Sequence, residues 1–296
     1  MAAQIRKPTL FDVSRLALVG SIWGGSFLFI ALALESFGPV TVATARIATA
    51  ALVLLGICAV LKQSLPTRFS DWGKLFIVGI FNSAIPFFLI SWGQQFISSA
   101  EAALLMATGT FCALIISHFS TADERINPAR VIGVSVGFLG VFVLVILDLI
   151  QFGLGSLKGQ IAVILAGASY ALSSVLARRI SHLPSISTSA GIMLTASCYL
   201  LPIAFLLETP INPDASMVSL LSLGFLGIIA TAFAFVVRFT IIRDNGAVFM
   251  AQVGYLVPLF GVIWSWIFFS EDITLGTWLA LVLILIGIAI TRKGVK

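Results

Sequence analysis

The chain has 296 residues, of which 59% are hydrophobic and only 10% are charged, and its mean hydropathy is +1.12. This composition offers too little polar surface to cover a water-soluble globule, so it excludes a soluble protein and places the chain in lipid. The formal net charge is +5, but no run of basic residues is longer than two, so nothing favours a nucleic-acid partner.

Apolar stretches long enough to cross a hydrocarbon core recur along the whole sequence, and they predict an all-α membrane protein with ten transmembrane helices. The longest connection runs only from Lys62 to Gly73, so the functional groups must lie among the helices. In chain order, the predicted helices cover residues 16–34, 40–61, 74–92, 101–119, 129–149, 159–178, 188–207, 218–237, 248–269 and 275–291.

The positions of Lys and Arg predict how these helices are oriented. Apart from Arg46, which lies within helix 2, and Lys158, every Lys and Arg falls on the same side of the predicted bundle. Cytoplasmic loops carry the excess of basic residues in membrane proteins. We therefore expect both termini in the cytoplasm, which agrees with an even number of helices.

The chain divides between Asp148 and Lys158 into two halves of five apolar spans each. A shift of 147 residues lays the second half over the first, so that Gly167 falls on Gly20. Because five is odd, two such units in one bilayer point in opposite directions, and secondary transporters place their substrate site between inverted repeats. The sequence thus predicts two inverted five-helix repeats, residues 1–150 and 151–296, around a central cavity.

Charged residues within the bilayer are candidate functional groups, because burying a charge there is costly. Arg46 lies at a depth of about 10 Å by the helical rise; it either anchors a substrate carboxylate or bonds to backbone carbonyls and helix dipoles. Arg238 is expected to reach the cytoplasmic interface, and Glu101 to cap helix 4. Glu124 and Glu271 are expected to close helices 4 and 9 at opposite faces. With no acid at mid-span, we expect facilitated movement without a buried proton-coupling carboxylate, and coupling through edge groups such as Glu101 is the alternative.

Polar and helix-disturbing residues accumulate near the predicted midplane, where amides and amphipathic rings need partners in a low-dielectric setting. Pro86 and Pro258 each remove a backbone donor and are the predicted hinges. For a Ser or Thr, close helix packing or a bond to its own backbone is the alternative interpretation. The predicted substrate-binding or pathway residues are Trp23, Ser26, Arg46, Asn82, Thr108, Tyr170, Ser173 and Tyr255.

Three short motifs carry a family resemblance: Trp23-Gly24-Gly25-Ser26-Phe27, Ala45-Arg46, and Leu256-Val257-Pro258-Leu259-Phe260 reaching Ser270-Glu271. With them, the chain resembles the EamA-type members of the drug/metabolite transporter superfamily over nearly its full length. The resemblance implies a carrier of two inverted halves with both termini cytoplasmic, nearest to the bacterial inner-membrane exporters of amino acids, including aromatic ones. One departure is Phe111, which stands where the first half of the family usually has a proline.

The resulting prediction is a carrier that exports amino acids, aromatic ones among them, or related metabolites by alternating access. Efflux of cationic or amphipathic drugs is the alternative, although such cargo would favour an acid at depth. No nucleophile with a base, paired aspartates or metal motif lies at depth, so we expect neither an enzyme nor a metal or cofactor. The expected partners are a small-molecule substrate and the lipid bilayer, with a monomer as the simplest oligomeric state.

Overall fold

The computed structural model describes residues 8–120, 128–152, 154–270 and 273–293, and these residues form helices and no strands. Eight helical spans are long and apolar enough to cross a membrane, and two shorter apolar helices, Val253–Phe269 and Leu275–Thr291, follow them. We number the spans 1 to 10. They are Leu10–Leu34, Pro39–Val60, Phe69–Gly93, Ser99–Leu105 with Thr108–Ser120, Pro128–Phe152, Leu154–Ala177, Ser185–Leu207, Met217–Asn245, Ala247–Met250 with Val253–Phe269, and Leu275–Lys293.

The two ends of the bundle are named after the predicted orientation. The outer end is where span 1 ends and span 2 begins, and the inner end is the opposite one. Several spans extend further at the inner end than their apolar stretches predict. The largest extensions are in span 1, which begins at Leu10, span 3, which begins at Phe69, and span 8, which continues to Asn245. Hydropathy marks the part of a helix that fits the bilayer, whereas the backbone hydrogen bonds continue beyond it.

Spans 3 and 8 each contain a π-helical segment, over Ile80–Ala84 and Phe225–Phe233 respectively. A π-helical turn widens the helix and redirects its carbonyl groups, and such turns are frequent at functional sites. Pro86 stands in the first turn of the α-helix that follows the π segment of span 3. This irregularity is therefore present where the sequence predicted a hinge.

Spans 4 and 9, predicted as continuous helices, are both interrupted. The amide of Gly109 bonds to the carbonyl of Met106 at 3.1 Å, and the amide of Gly254 bonds to the carbonyl of Ala251 at 3.1 Å, in place of the bond four residues back. Pro258 lies four residues after Gly254, and proline cannot supply the amide that this carbonyl would accept. Span 4 has the corresponding interruption without a proline. The residue of span 4 that corresponds to Pro258 is Phe111.

The spans pack in pairs that correspond between the two halves of the chain. Span 1 packs on spans 9 and 8, and span 6 packs on spans 4 and 3, while span 2 packs on span 7 and span 5 on span 10. Glycines allow the closest approaches. A Cβ added at Gly24 would lie 2.8 Å from the backbone nitrogen of Gly261, and one at Gly109 would lie 3.1 Å from the carbonyl oxygen of Gly167.

The start of span 2 is held by a side chain from the end of span 7. The Glu208 carboxylate accepts hydrogen bonds from the amides of Val40 at 3.0 Å and Thr41 at 2.7 Å. The first amides of a helix have no partner within the helix, and its positive end favours an anion. Glu208 therefore ties the two halves together at the outer end.

Candidate functional site

Arg46 is a buried cation that reaches from span 2 toward span 8. Its Nε donates a hydrogen bond to Oγ1 of Thr231 at 2.9 Å, and Thr231 in turn donates to the carbonyl of Leu226 at 2.9 Å within the π-helical segment. The guanidinium carbon lies 3.9 Å from the centre of the Phe87 ring on span 3. Three spans therefore fix the position of this charge. Only 6% of the residue is exposed.

The charge of Arg46 has no acidic partner among the residues that the structure describes. Its one hydrogen bond uses Nε, and the two terminal nitrogens make none within the described chain. A buried guanidinium with two unbonded donors is suited to bind a planar anion such as a carboxylate.

Aromatic rings and a second cation surround the Arg46 guanidinium. The ring of Tyr170 on span 6 lies 6.4 Å from the ring of Phe87 in an edge-to-face arrangement. Tyr170 lies within electrostatic range of both Arg46 and Arg238. Arg238 is half-buried, with its guanidinium carbon 5.9 Å from the Phe235 ring centre. The expectation that Arg238 reaches the cytoplasmic interface stays a prediction.

Asn82 and Ser173, both predicted site residues, meet beside Tyr170. The Ser173 hydroxyl donates to the Tyr170 carbonyl at 2.8 Å and lies 3.4 Å from Oδ1 of Asn82. The Asn82 amide donates to Oγ of Ser83 at 3.2 Å. Asn82 is half-buried in the π-helical segment of span 3, so it stands at the junction of spans 3 and 6 and keeps part of its surface accessible.

Trp23 and Ser26 lie on the face of span 1 that meets span 8. The Trp23 indole donates to the carbonyl of Ala230 in the π-helical segment at 3.0 Å, and its ring is half-buried. Ser26 is buried and donates to the Trp23 carbonyl at 2.6 Å. Trp23 is thus brought near Thr231, which bonds to Arg46. Ser26 instead bonds to the backbone of its own helix, which was the alternative interpretation for a Ser or Thr.

Thr108 and Tyr255 occupy the interruptions of spans 4 and 9 and make structural contacts there. Thr108 is fully buried, and its hydroxyl donates to the carbonyl of Leu105 at 2.7 Å. The Tyr255 hydroxyl donates to the carbonyl of Ile288 on span 10 at 3.0 Å. Neither residue makes a hydrogen bond to Arg46 within the described chain. Pro258 is buried within the helix after the interruption of span 9.

A buried acidic group at the outer end was not predicted. The Gln160 amide donates to Glu101 at 2.6 Å and to Asp148 at 3.1 Å, and Glu101 and Gln160 are buried. Glu101 does begin span 4, where its amide bonds to Ser98, but its side chain turns inward. Glu101 is therefore a buried carboxylate at one end of the bundle, and the expectation of transport without a proton-coupling carboxylate stays a prediction. In the sequence, Asp148 and Gln160 are polar residues on either side of the connection between spans 5 and 6. Their positions were the only sequence signal for this group.

A second polar cluster joins spans 1 and 8 at the inner end. Asp12 is fully buried, and its Oδ2 accepts hydrogen bonds from the Thr9 amide at 2.9 Å and from the Asn245 side chain at 3.3 Å. Arg15 lies between Asp12, at 3.7 Å, and Asp244, at 3.5 Å. The pattern Thr9-x-x-Asp12 forms a capping box, which could have been found from the sequence.

Two expected features lie beyond what the structure describes, because Glu124 and Glu271 are outside the described residues. Within the described part of the chain, no three His, Cys, Asp or Glu side chains are grouped so that they could hold a metal ion. The interior therefore contains cations, aromatic rings and amides, with acidic groups at both ends of the bundle.

Apolar spans around a buried polar interior define a multi-pass helical membrane protein. The chain belongs to the EamA-like transporter family, whose sequence profile matches residues 13–146 and again residues 157–292. The family resemblance seen in the sequence is therefore confirmed.

Relatives in bacteria and archaea match over nearly the whole chain. An uncharacterized transporter of Bacillus subtilis (strain 168), YoaV, is 23% identical over 90% of this chain and 91% of its own length. An uncharacterized transporter of Archaeoglobus fulgidus is 25% identical over 94% and 97% respectively. The uncharacterized inner membrane transporter YedA of Escherichia coli (strain K12) is 22% identical over 92% and 88%. These names point to a transporter and not to an enzyme.

A solved structure shares the fold. A crystal structure of another protein superposes with a TM-score of 0.68, covering 95% of this chain and 96% of that chain at 19% sequence identity. At this identity the likeness concerns the fold alone.

Proposed function

We propose that the protein is a carrier that exports amino acids, aromatic ones among them, or related small carboxylates by alternating access. The observation that carries this proposal is the Arg46 guanidinium, which is buried, has no acidic partner in the described chain and leaves its two terminal nitrogens without a hydrogen bond there. A substrate carboxylate would supply the missing anion, and two terminal nitrogens can bind its two oxygens in parallel.

The surroundings of Arg46 suit the rest of such a substrate. Phe87 and Tyr170 offer ring faces and edges beside the guanidinium, and Trp23 lies on the neighbouring span. Aromatic rings pair favourably with an aromatic or apolar side chain. Asn82 and Ser173 provide neutral polar atoms at the junction of spans 3 and 6, where an ammonium group can find acceptors.

Alternating access by two inverted halves, residues 1–150 and 151–296, is the mechanism that we propose for this site. It is supported by the family profile, which matches the chain once in each half. The span pairings and the interruptions of spans 4 and 9 also correspond between the halves. Pro86 and Pro258 flank a π-helical segment and a helix interruption, so they stand where a span can bend.

Efflux of cationic drugs is the second candidate. Arg46 and Arg238 both lie near Tyr170, and their positive charges would repel a cation at this place. The charge of the interior therefore favours a carboxylate-bearing substrate. We also propose that the carrier resides in a bacterial inner membrane with both termini in the cytoplasm, in agreement with the distribution of Lys and Arg.

Counterflow in proteoliposomes tests this function. Vesicles that contain the purified protein and unlabelled phenylalanine should accumulate labelled phenylalanine, with saturation, whereas vesicles without protein should not. Excess neutral amino acids should compete, and tetraethylammonium should not. Competition by ammonium compounds together with no amino acid counterflow would support drug efflux and contradict the proposal.

A further inference from the structure

The acidic group at the outer end consists of three side chains from three spans. Glu101 begins span 4, Asp148 lies near the end of span 5, and Gln160 lies in the second turn of span 6. One amide nitrogen of Gln160 lies 2.6 Å from Glu101 Oε1 and 3.1 Å from Asp148 Oδ2. Both carboxyl groups therefore lie against the same amide nitrogen and are close to each other.

Two carboxyl groups can hydrogen-bond to each other only when one of them carries a proton. Two ionised carboxylates would repel strongly in a buried position, and neither forms an ion pair with a Lys or Arg of the described chain. The start of span 4 favours one negative charge. One charge and one proton therefore satisfy the group better than two charges.

Gln160 gives an independent indication of a missing donor. The residue is fully buried, and its carbonyl oxygen Oε1 has no hydrogen-bond partner, although the amide nitrogen beside it serves both carboxyl groups. A buried acceptor without a donor is unfavourable. A protonated carboxyl group has the hydroxyl that could occupy this acceptor after a small rotation of either side chain.

The remaining charges at the outer end do not replace the proton. The Lys158 ammonium, on span 6, lies 3.7 Å from the centre of the Phe96 ring. Glu35, at the end of span 1, and Asp214, between spans 7 and 8, are exposed, and the described parts of spans 9 and 10 carry no charged residue at this end. Glu208 bonds to the amides of span 2.

We propose that Glu101, Asp148 and Gln160 form a proton-binding site in which one shared proton holds the outer ends of spans 4, 5 and 6 together. Loss of the proton leaves two adjacent carboxylates, and their repulsion separates span 4 from spans 5 and 6. Resting on the transport function proposed above, this site makes closure of the outer end take up one proton from the outer solution. Transport should then depend on the pH of that side.

Infrared spectroscopy of the full-length protein in lipid tests the site without any assumption about transport. The wild-type protein should show the C=O stretching band of one protonated carboxyl group at neutral pH. The band should disappear in Glu101→Gln and in Asp148→Asn, and it should persist in the control Glu35→Gln. The amide bands of the same spectra report whether each variant keeps its helices. Absence of the band in the wild type, or its persistence in both folded variants, would overturn the proposal.

Counterflow at varied outer pH tests the link to transport. The flux of the wild type and of Glu35→Gln should change with outer pH, and this dependence should be flattened in Glu101→Gln. A wild-type flux that is independent of outer pH would overturn the link. If no amino acid is transported at all, the proposed substrate fails, and the infrared result still decides whether the proton site exists.

Discussion

Replacement of Arg46 by methionine separates a binding role from a structural one. Methionine has a similar length but carries neither charge nor donors. If Arg46 binds the substrate carboxylate, Arg46→Met should weaken substrate binding without lowering the stability of the substrate-free protein. If the guanidinium instead holds spans 2, 3 and 8 together, the same change should lower stability and leave the binding of a neutral cargo unaffected.

The contacts of Arg46 set the size of both effects. A hydrogen bond from a charged donor contributes about 1.5–3 kcal/mol, so loss of the carboxylate contact should weaken binding about 10- to 150-fold. In the empty protein the variant loses one bond to Thr231 and a cation–π contact with Phe87 of up to about 2 kcal/mol. It also removes the desolvation penalty of an unpaired buried ion, which is several kcal/mol. The net stability should therefore be unchanged or higher.

Two measurements on purified protein decide the question. Substrate affinity is obtained from the concentration dependence of counterflow, and stability from the thermal unfolding midpoint in detergent. Arg179→Met, at an exposed arginine of the inner end, is the matched control and should change neither quantity. Arg46→Lys should restore part of the affinity, since it keeps the charge but not the planar pair of donors. A lower unfolding midpoint with unchanged affinity in Arg46→Met would refute the binding role.

Two further predictions concern the contacts between spans, and thermal unfolding checks both. Glu208→Gln should lower the free energy of unfolding by about 1–3 kcal/mol, because one of the two amides at the start of span 2, Val40 or Thr41, loses its acceptor. An unchanged free energy of unfolding would contradict the role of Glu208 in holding the start of span 2. Gly24→Ala should destabilise by about 1–3 kcal/mol because the added methyl group meets the backbone of span 9. Gly56→Ala is the control, because a Cβ added at Gly56 would meet no atom within 4 Å, and it should stabilise the protein by about 0.5–1 kcal/mol. Equal effects of the two glycine changes would refute the packing argument.

The sequence predicted the helices well because the physical cause is local. A bilayer requires a long apolar run for every crossing, and each predicted stretch coincides with a helical span of the structure. The π-helical segments and the interruptions could not be predicted in the same way. Span 4 is interrupted before Phe111 without any proline, and there Gly109 lies against the backbone of Gly167 on span 6. This interruption depends on a neighbour that local sequence does not reveal.

The candidate site was predicted only in part for a similar reason. Depth along a helix follows from sequence, so Arg46 and Asn82 were found among the candidates. The direction of a side chain and its partner depend on tertiary packing. Tyr255 bonds to span 10, and Glu101 meets Asp148 and Gln160 only because spans 4, 5 and 6 converge at the outer end. Glu101 was predicted as a helix cap because its backbone does lie at the start of span 4.

Arg46 and Gln160 do not follow the 147-residue correspondence that relates the spans. The position that corresponds to Arg46 in the second half is Met193, which is fully buried in an apolar cluster, and the one that corresponds to Gln160 in the first half is Val13. Pairings between spans can recur in both halves because they depend on small and apolar residues. A site for one asymmetric substrate needs its charge at a single place. The correspondence between halves therefore identifies where the spans meet, and departures such as Arg46 are the positions at which we propose that the substrate is recognised.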